Sequence, residues 1–447
     1  MGRKGNDLAI LSSFTTTVLA FVFVLGFLIF IHELGHFLVA RYFGIRVEVF
    51  SLGFGRRLWG VKRGETDYRI SLVPLGGYVR MSGENPDEAL TGSPDEFLSR
   101  SKPERFFVAV AGPAMNIGLA VLLLTTVYIY GQEVPEYQSG PAILGAIETG
   151  SPASQSGLLE GDTILSLNQK PTPTWKEANF KIRVNGSRQV SVSYLRGSSI
   201  LHTTVTPVTS PDGGGSIGVT PHIPFLVSDI LPESAAHRAG IKKGDLILTA
   251  SKGDLTGRGF YSILQLIQSS ENQPLQIEIL RNENILKMSA TPQWTDEGPK
   301  LGAYVEFKRT TEKFGVAESI QKSIQECSSM AKLTFVTIGR LITGSSSIKQ
   351  LSGPIEIAKY SGQAASLGLI PLVLLMAVIS LQLGLFNLLP IPVLDGGLIA
   401  LLAIEGLIGR DLSMAVKERI FKVGFVFLIL VMGFVIFNDL AKNLPEF

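Results

Sequence analysis

Four long apolar runs constrain this chain more than any other feature. Phe14–Ala40, Phe106–Tyr130, Leu369–Leu389 and Phe421–Phe437 are each almost continuously apolar. A helix of about 20 such residues crosses the hydrocarbon of a bilayer. A spanning backbone has to satisfy its polar groups within helices or a closed barrel. The expected fold is a multi-domain membrane protein with an α-helical four-span core in the lipid bilayer. A fifth run, Leu398–Ile408, is too short to span and reads as a buried or re-entrant piece. The first run has no small-residue cleavage site after a short apolar core, so it reads as a retained span rather than a signal peptide.

Composition agrees. Only 17% of the 447 residues are charged, against about 25% in soluble domains. The 40 basic and 38 acidic side chains nearly cancel, so the basic excess of a nucleic-acid binder is missing. Cys327 is the single cysteine, which excludes an intrachain disulfide and a cysteine-built zinc site. Orientation follows from Lys and Arg near the span ends. Arg41, Arg46, Arg56, Arg57 and further basic residues lie between the first two spans, and Arg410, Lys417 and Arg419 precede the fourth. Both segments are assigned to the inside of the cell, which puts the termini and the long stretch between spans two and three outside. Arg3 and Lys4 vote weakly the other way.

That external stretch repeats itself. Ser151-Pro152-Ala153, Gly157-Leu158 and Gly161-Asp162-Thr163-Ile164-Leu165 recur as Ser234-Ala235-Ala236, Gly240-Ile241 and Gly244-Asp245-Leu246-Ile247-Leu248. Small residues followed by Gly and an apolar residue suggest a short helix closed by glycine, and Gly-Asp before an apolar run suggests a turn into a buried strand. The pattern resembles tandem β-rich PDZ domains of the circularly permuted bacterial kind. Such domains either bind peptide ligands at a sheet edge or act as rigid spacers and gates. After them Val316, Ile320, Ile324, Cys327 and Met330 mark one helix face, and Leu333–Ile342 follows. These read as amphipathic helices on the membrane surface, with Cys327 a small buried hydrophobe.

The chemistry sits at the inner end of the first span. His32-Glu33-Leu34-Gly35-His36 places two imidazoles four residues apart on one helix face, where both can hold one zinc. Glu33 projects beside them and can take a proton from water. Ionisable groups at the end of an apolar span are costly and mark function. A catalytic zinc takes three protein ligands, and the remaining histidines, His202, His222 and His237, all lie in the external repeats. Asp395 fits the place of the third, although the residue types there also suit an Asx turn after a proline break. Pro390 and Pro392 stop the third span before it, and Gly396 and Gly397 permit a tight turn that brings the carboxylate back. Spans one and three both run inward, which puts His36 and Asp395 at one depth.

With HELGH in the first span, Leu394-Asp395-Gly396 after the third, and two PDZ-like repeats between them, the chain resembles the site-2 protease family of intramembrane zinc metalloproteases. Gly112-Pro113-Ala114-Met115-Asn116 and Leu351-Ser352-Gly353-Pro354-Ile355 extend the resemblance, whereas Leu398 stands where relatives often carry histidine. The resemblance implies that His32, His36 and Asp395 bind Zn2+ and that Glu33 activates water against a peptide carbonyl. A helical substrate hides its carbonyls and has to be unwound first. Tyr68, Ile70 and Leu72 alternate ahead of Pro74-Leu75-Gly76-Gly77-Tyr78, which suggests a hairpin-like loop over 65–81 with an open edge. The resemblance implies that this loop takes the substrate by strand addition. Asn387 either donates to the extended substrate or caps the broken third span, and Asn116 ties helices together.

The implied substrate is a single-span membrane protein of the anti-sigma-factor type, with remnant signal peptides as further candidates. The implied location is the bacterial inner membrane, with the PDZ-like repeats periplasmic and the zinc site toward the cytoplasm. The expected division is 1–131 for the first two spans, 132–222 and 223–308 for the two PDZ-like domains, 309–367 for the surface helices, and 368–447 for the last two spans. A catalytically idle PDZ-bearing scaffold is the alternative, and the intact Glu33 and Asp395 argue against it.

Overall fold

The computed structural model describes residues 2–84, 91–210, 213–270, 272–296, 298–344 and 353–443, which separate into two units. The first comprises Met1–Gln132, Lys313–Ala331 and Leu351–Phe447. It holds four helices long and apolar enough to cross a membrane: Phe14–Tyr42, Lys102–Tyr130, Leu369–Asn387 and Met414–Lys442. The second span starts where its sequence says it should. Ser101 and Glu104 form a reciprocal capping box, and a proline stands in the first turn.

Small residues let the spans meet backbone to backbone, as expected where lipid supplies no hydrophobic drive between helices. A Cβ on Gly35 of the first span would lie 2.8 Å from the Ala111 carbonyl carbon of the second. One on Gly384 of the third span would lie 2.9 Å from the Pro113 carbonyl oxygen. The second span is thus clasped on two sides, and Val24, Leu28, Leu119 and Met376 fill the space between. Asp395–Ile408, too short to span, forms one helix. Its buried Glu405 accepts from the Leu412 N–H at 2.9 Å and pairs with Lys417 at 2.7 Å.

Two sequence expectations need correction in this unit. The surface helix is continuous over Val316–Ile342, and its packed positions are Ser319, Ser323 and Cys327. Val316, Ile320 and Ile324 are exposed, so Cys327 lies apart from the apolar face on which the sequence puts it. The buried serines find partners, since Ser323 Oγ donates to the Ser319 carbonyl and Thr125 Oγ1 donates to Ser323 Oγ. Apolar side chains that face outward suit lipid rather than a protein core. The second correction concerns the loop over 65–81. Val47–Arg63 and Thr66–Met81 each bend, so that residues 67–70 pair with 49–52 on one side and with 59–62 on the other. Tyr68 and Ile70 therefore sit on an inner strand. Among the described residues the two edges, each paired on one side only, are residues 77–81 and 59–63.

Leu351 and Ser352 of the Leu351–Ile355 motif lie outside the described residues, as do the side chains of Pro74 and Leu75. From Pro354 a helix runs to Leu367. Its first N–H groups are taken by buried Asp439 of the fourth span, which accepts from Gly353 at 2.9 Å and Ile355 at 3.1 Å.

The second unit, Glu133–Glu312 with Lys332–Gln350, holds both repeats. In the first, a sheet carries strands Val219–Pro221, Ala142–Ile147, Thr163–Leu167, Val190–Arg196 and Ser199–Val205 in that spatial order, with a helix over Trp175–Val184. The second repeat has the same order in Ala303–Val305, Phe225–Ile230, Leu246–Lys252, Leu275–Arg281 and Asn284–Ala290, with a helix over Gly259–Gln268. Each closes its own core, around Leu144, Ile164 and Val192 in one and around Val227, Ile247 and Ile277 in the other.

Candidate active site

The first span carries His32 and His36 on one face, one turn apart, with the rings edge-on at 76°. Both are buried. His36 Nδ1 donates to the Val108 carbonyl at 2.8 Å, which leaves its Nε2 with a free lone pair. That nitrogen lies 3.2 Å from His32 Nε2. Asp395 stands on the first turn of its helix, and its two oxygens lie 3.1 Å from His32 Nε2 and 3.4 Å from His36 Nε2.

The three ligand atoms all lie within 4.8 Å of one another. Two imidazole lone pairs and a carboxylate aimed at one point make a donor set for a divalent cation, and a pair of histidines with one carboxylate suits zinc. The second span leaves room for it. Gly112 faces both rings, and a Cβ there would lie 2.8 Å from His32 Nε2 and collide with His36 Nε2. Any larger residue would fill the cradle, so the residues present fit the metal.

Asp395 reaches this place by a strained turn. The sequence suggests that Gly396 and Gly397 make the bend, but both belong to the helix Asp395–Ile408. The left-handed residue is Val393, with φ +83°, a conformation disfavoured for a β-branched side chain. The glycines serve close approach instead: a Cβ on Gly397 would lie 2.8 Å from the Ile391 carbonyl carbon.

Glu33 and the metal-ligand trio share a cavity of about 470 Å³, which Asn116 and Asn387 also line. The opposite wall is one free edge of the bent sheet, with Gly76, Gly77, Tyr78 and Val79, together with Phe54. Gly77 is close enough that a Cβ on it would lie 3.1 Å from Glu33 Cγ. Tyr68, Ile70 and Leu72 do not line this cavity. Tyr68 packs its ring against Phe37 and Phe50, and Ile70 and Leu72 are exposed. The cradle at Gly112, the Val108 carbonyl and the strained Val393 were not foreseen. Only Gly112 left a trace in the sequence, standing four residues before Asn116 on one helix face.

Residues 20–431 match the family model described as Peptidase family M50. The chain is 33% identical over 451 residues to the regulator of sigma-E protease RseP of Salmonella typhimurium, covering 95% of this chain and 98% of that one. It is 31% identical to the regulator of sigma E protease of Haemophilus influenzae, over 96% of this chain and all of the relative. For the regulator of sigma-E protease RseP of Escherichia coli K12 the identity is 30%, over 96% and 99% of the two chains.

Proposed function

Because this chain belongs to peptidase family M50, a family of zinc metalloproteases, we propose that it hydrolyses a peptide bond in or beside the spanning segment of a single-span membrane protein. One observation carries the reading: His32, His36 and Asp395 converge beside Glu33, in a cavity walled by a free strand edge. His32, His36 and Asp395 hold the zinc, which when bound polarises the peptide carbonyl and acidifies water.

Glu33 is the base. Its carboxylate takes the proton of the attacking water and returns it to the departing amine nitrogen. Residues 77–81 take the unwound substrate as an added strand, so that main-chain hydrogen bonds hold the scissile segment extended in front of Glu33. Asn387, at the end of the third span and on the cavity wall, donates its amide to that extended backbone. Tyr68 anchors the sheet on the first span through Phe37, and Ile70 and Leu72 turn an apolar surface outward.

The names of the relatives support a substrate of the anti-sigma-factor type. The distribution of Lys and Arg supports a site toward the cytoplasm of a bacterial inner membrane, with the PDZ-like repeats periplasmic. There the repeats admit membrane proteins whose external part has already been shortened, and deleting residues 140–308 allows uncut substrates to be cleaved. The test of the whole reading uses the purified full chain and a single-span reporter. Cleavage that stops on chelation and returns with zinc is expected; cleavage indifferent to chelation overturns the reading.

A further inference from the structure

The second span brings a polar side chain to the site that the roles above do not use. Asn116 is fully buried. Its amide nitrogen lies 3.3 Å from His32 Nδ1, and its Oδ1 is buried with no hydrogen-bond partner. Its backbone carbonyl is held by Ser380 Oγ of the third span at 2.8 Å, so the residue is anchored from two directions.

The chemistry of His32 decides which end of the amide belongs at Nδ1. His32 Nε2 faces Asp395 and His36. A neutral imidazole that gives its Nε2 lone pair to a metal carries its proton on Nδ1. That proton needs an acceptor, as His36 Nδ1 has in the Val108 carbonyl at 2.8 Å. An NH2 group cannot accept. Half a turn of the Asn116 amide about Cβ–Cγ exchanges its two ends, moves no other group, and gives the partnerless oxygen a donor.

We propose that Asn116 is a positioning residue for zinc: its Oδ1 accepts from His32 Nδ1–H, which fixes the ring's tautomer and aims Nε2 at the metal. This rests on the zinc reading above and deepens it. The two histidines then have matched outer partners, both on the second span, a backbone carbonyl for His36 and a side-chain carbonyl for His32. Outer partners of this kind orient the ligand ring and raise its basicity.

The experiment measures zinc affinity of the full chain in detergent by chelator competition, with a thermal melt on each variant. Asn116→Leu should weaken zinc roughly 10–100-fold, whereas Asn116→Asp, which accepts and cannot donate, should keep or tighten it. Wild-type affinity in a folded Asn116→Leu, or equal weakening by Leu and Asp, overturns the proposal. His32→Ala separates the two readings: if it leaves zinc binding intact, the metal site itself is wrong. Should the Asn116 variants fail to fold, 15N-histidine spectra of the zinc-loaded wild type decide. A downfield, hydrogen-bonded Nδ1–H proton on His32 supports the proposal, and its absence at that position refutes it.

Discussion

The aspartates inside the repeats and Asp395 of the membrane unit are answered by different partners. In the repeats, Asp162 and Asp245 are each 1% exposed and fully answered from within. Asp162 accepts from Arg196 Nε at 2.8 Å, from Arg196 Nη2 at 2.7 Å and from the Leu159 N–H at 2.8 Å. Asp245 repeats the arrangement with Arg281 at 2.7 and 2.6 Å and the Lys242 N–H at 2.7 Å. Such forks meet the cost of desolvating a charge. Asp395 has no arginine. It faces two imidazole nitrogens, and the bond from His36 Nδ1 to Val108 makes the nearer face of that ring an acceptor. With His32 in the same tautomer, as proposed above, Asp395 would face two acceptors, and its compensation would come from a cation. The same residue type is ion-paired in the repeats, caps a helix at Asp439, and at Asp395 is the ligand we propose.

The comparison can be broken by mutating both sides of it. The largest effect is expected for Asp395→Ala, which removes a third of the donor set. Bound zinc measured by metal analysis should fall to background, with the melting of the repeats unchanged. Asp245→Ala should do the reverse. Losing the acceptor of the Arg281 and Lys242 N–H bonds should cost about 1–3 kcal/mol, read from denaturant unfolding of the second repeat, while zinc stoichiometry holds. A smaller loss is expected from Gly112→Val, whose added carbons occupy the cradle between the imidazoles. Zinc affinity should drop roughly 10–100-fold, as seen by chelator competition.

The mildest test is acidity. Burial pushes the Asp245 carboxyl up, but the Arg281 bonds, the Lys242 N–H and the two positive charges outweigh it and hold it below its ordinary value. A carboxyl lowered by folding adds stability above its unfolded value of about 3.9, and the gain is lost as pH falls through the folded value. The repeats should therefore melt at a constant temperature from about pH 7 to 5 and lose stability below about pH 4. Asp245→Asn should flatten that acid limb.

Much of this was legible in the residues, for identifiable reasons. Spans are long and their signal is summed over many apolar side chains, so four runs led to four helices. His32 and His36 are four apart on one helix, and local spacing is what a sequence displays best. Asp395 lies far along the chain, yet span direction brought it to the right depth. What stayed hidden depends on backbone detail. Tyr68, Ile70 and Leu72 alternate as an edge would, but both strands bend back on themselves, residues 77–81 and 59–63 become the edges, and 77–79 lie at the cavity. Val393 carries the positive φ that two neighbouring glycines advertised. Around Cys327 the apolar set divides: Ile320 and Ile324 are exposed, while Cys327 is buried and Ser323 accepts from Thr125 of the second span.

The central claim is that this cavity is a zinc site with Glu33 as its base, and one paired measurement tests it. Zinc content and cleavage of a single-span reporter are determined for wild type and Glu33→Gln under one set of conditions. The account predicts equal zinc in both proteins and a fall in cleavage of at least about 100-fold in the variant, the low end for a lost general base. Equal cleavage by the two proteins would contradict it.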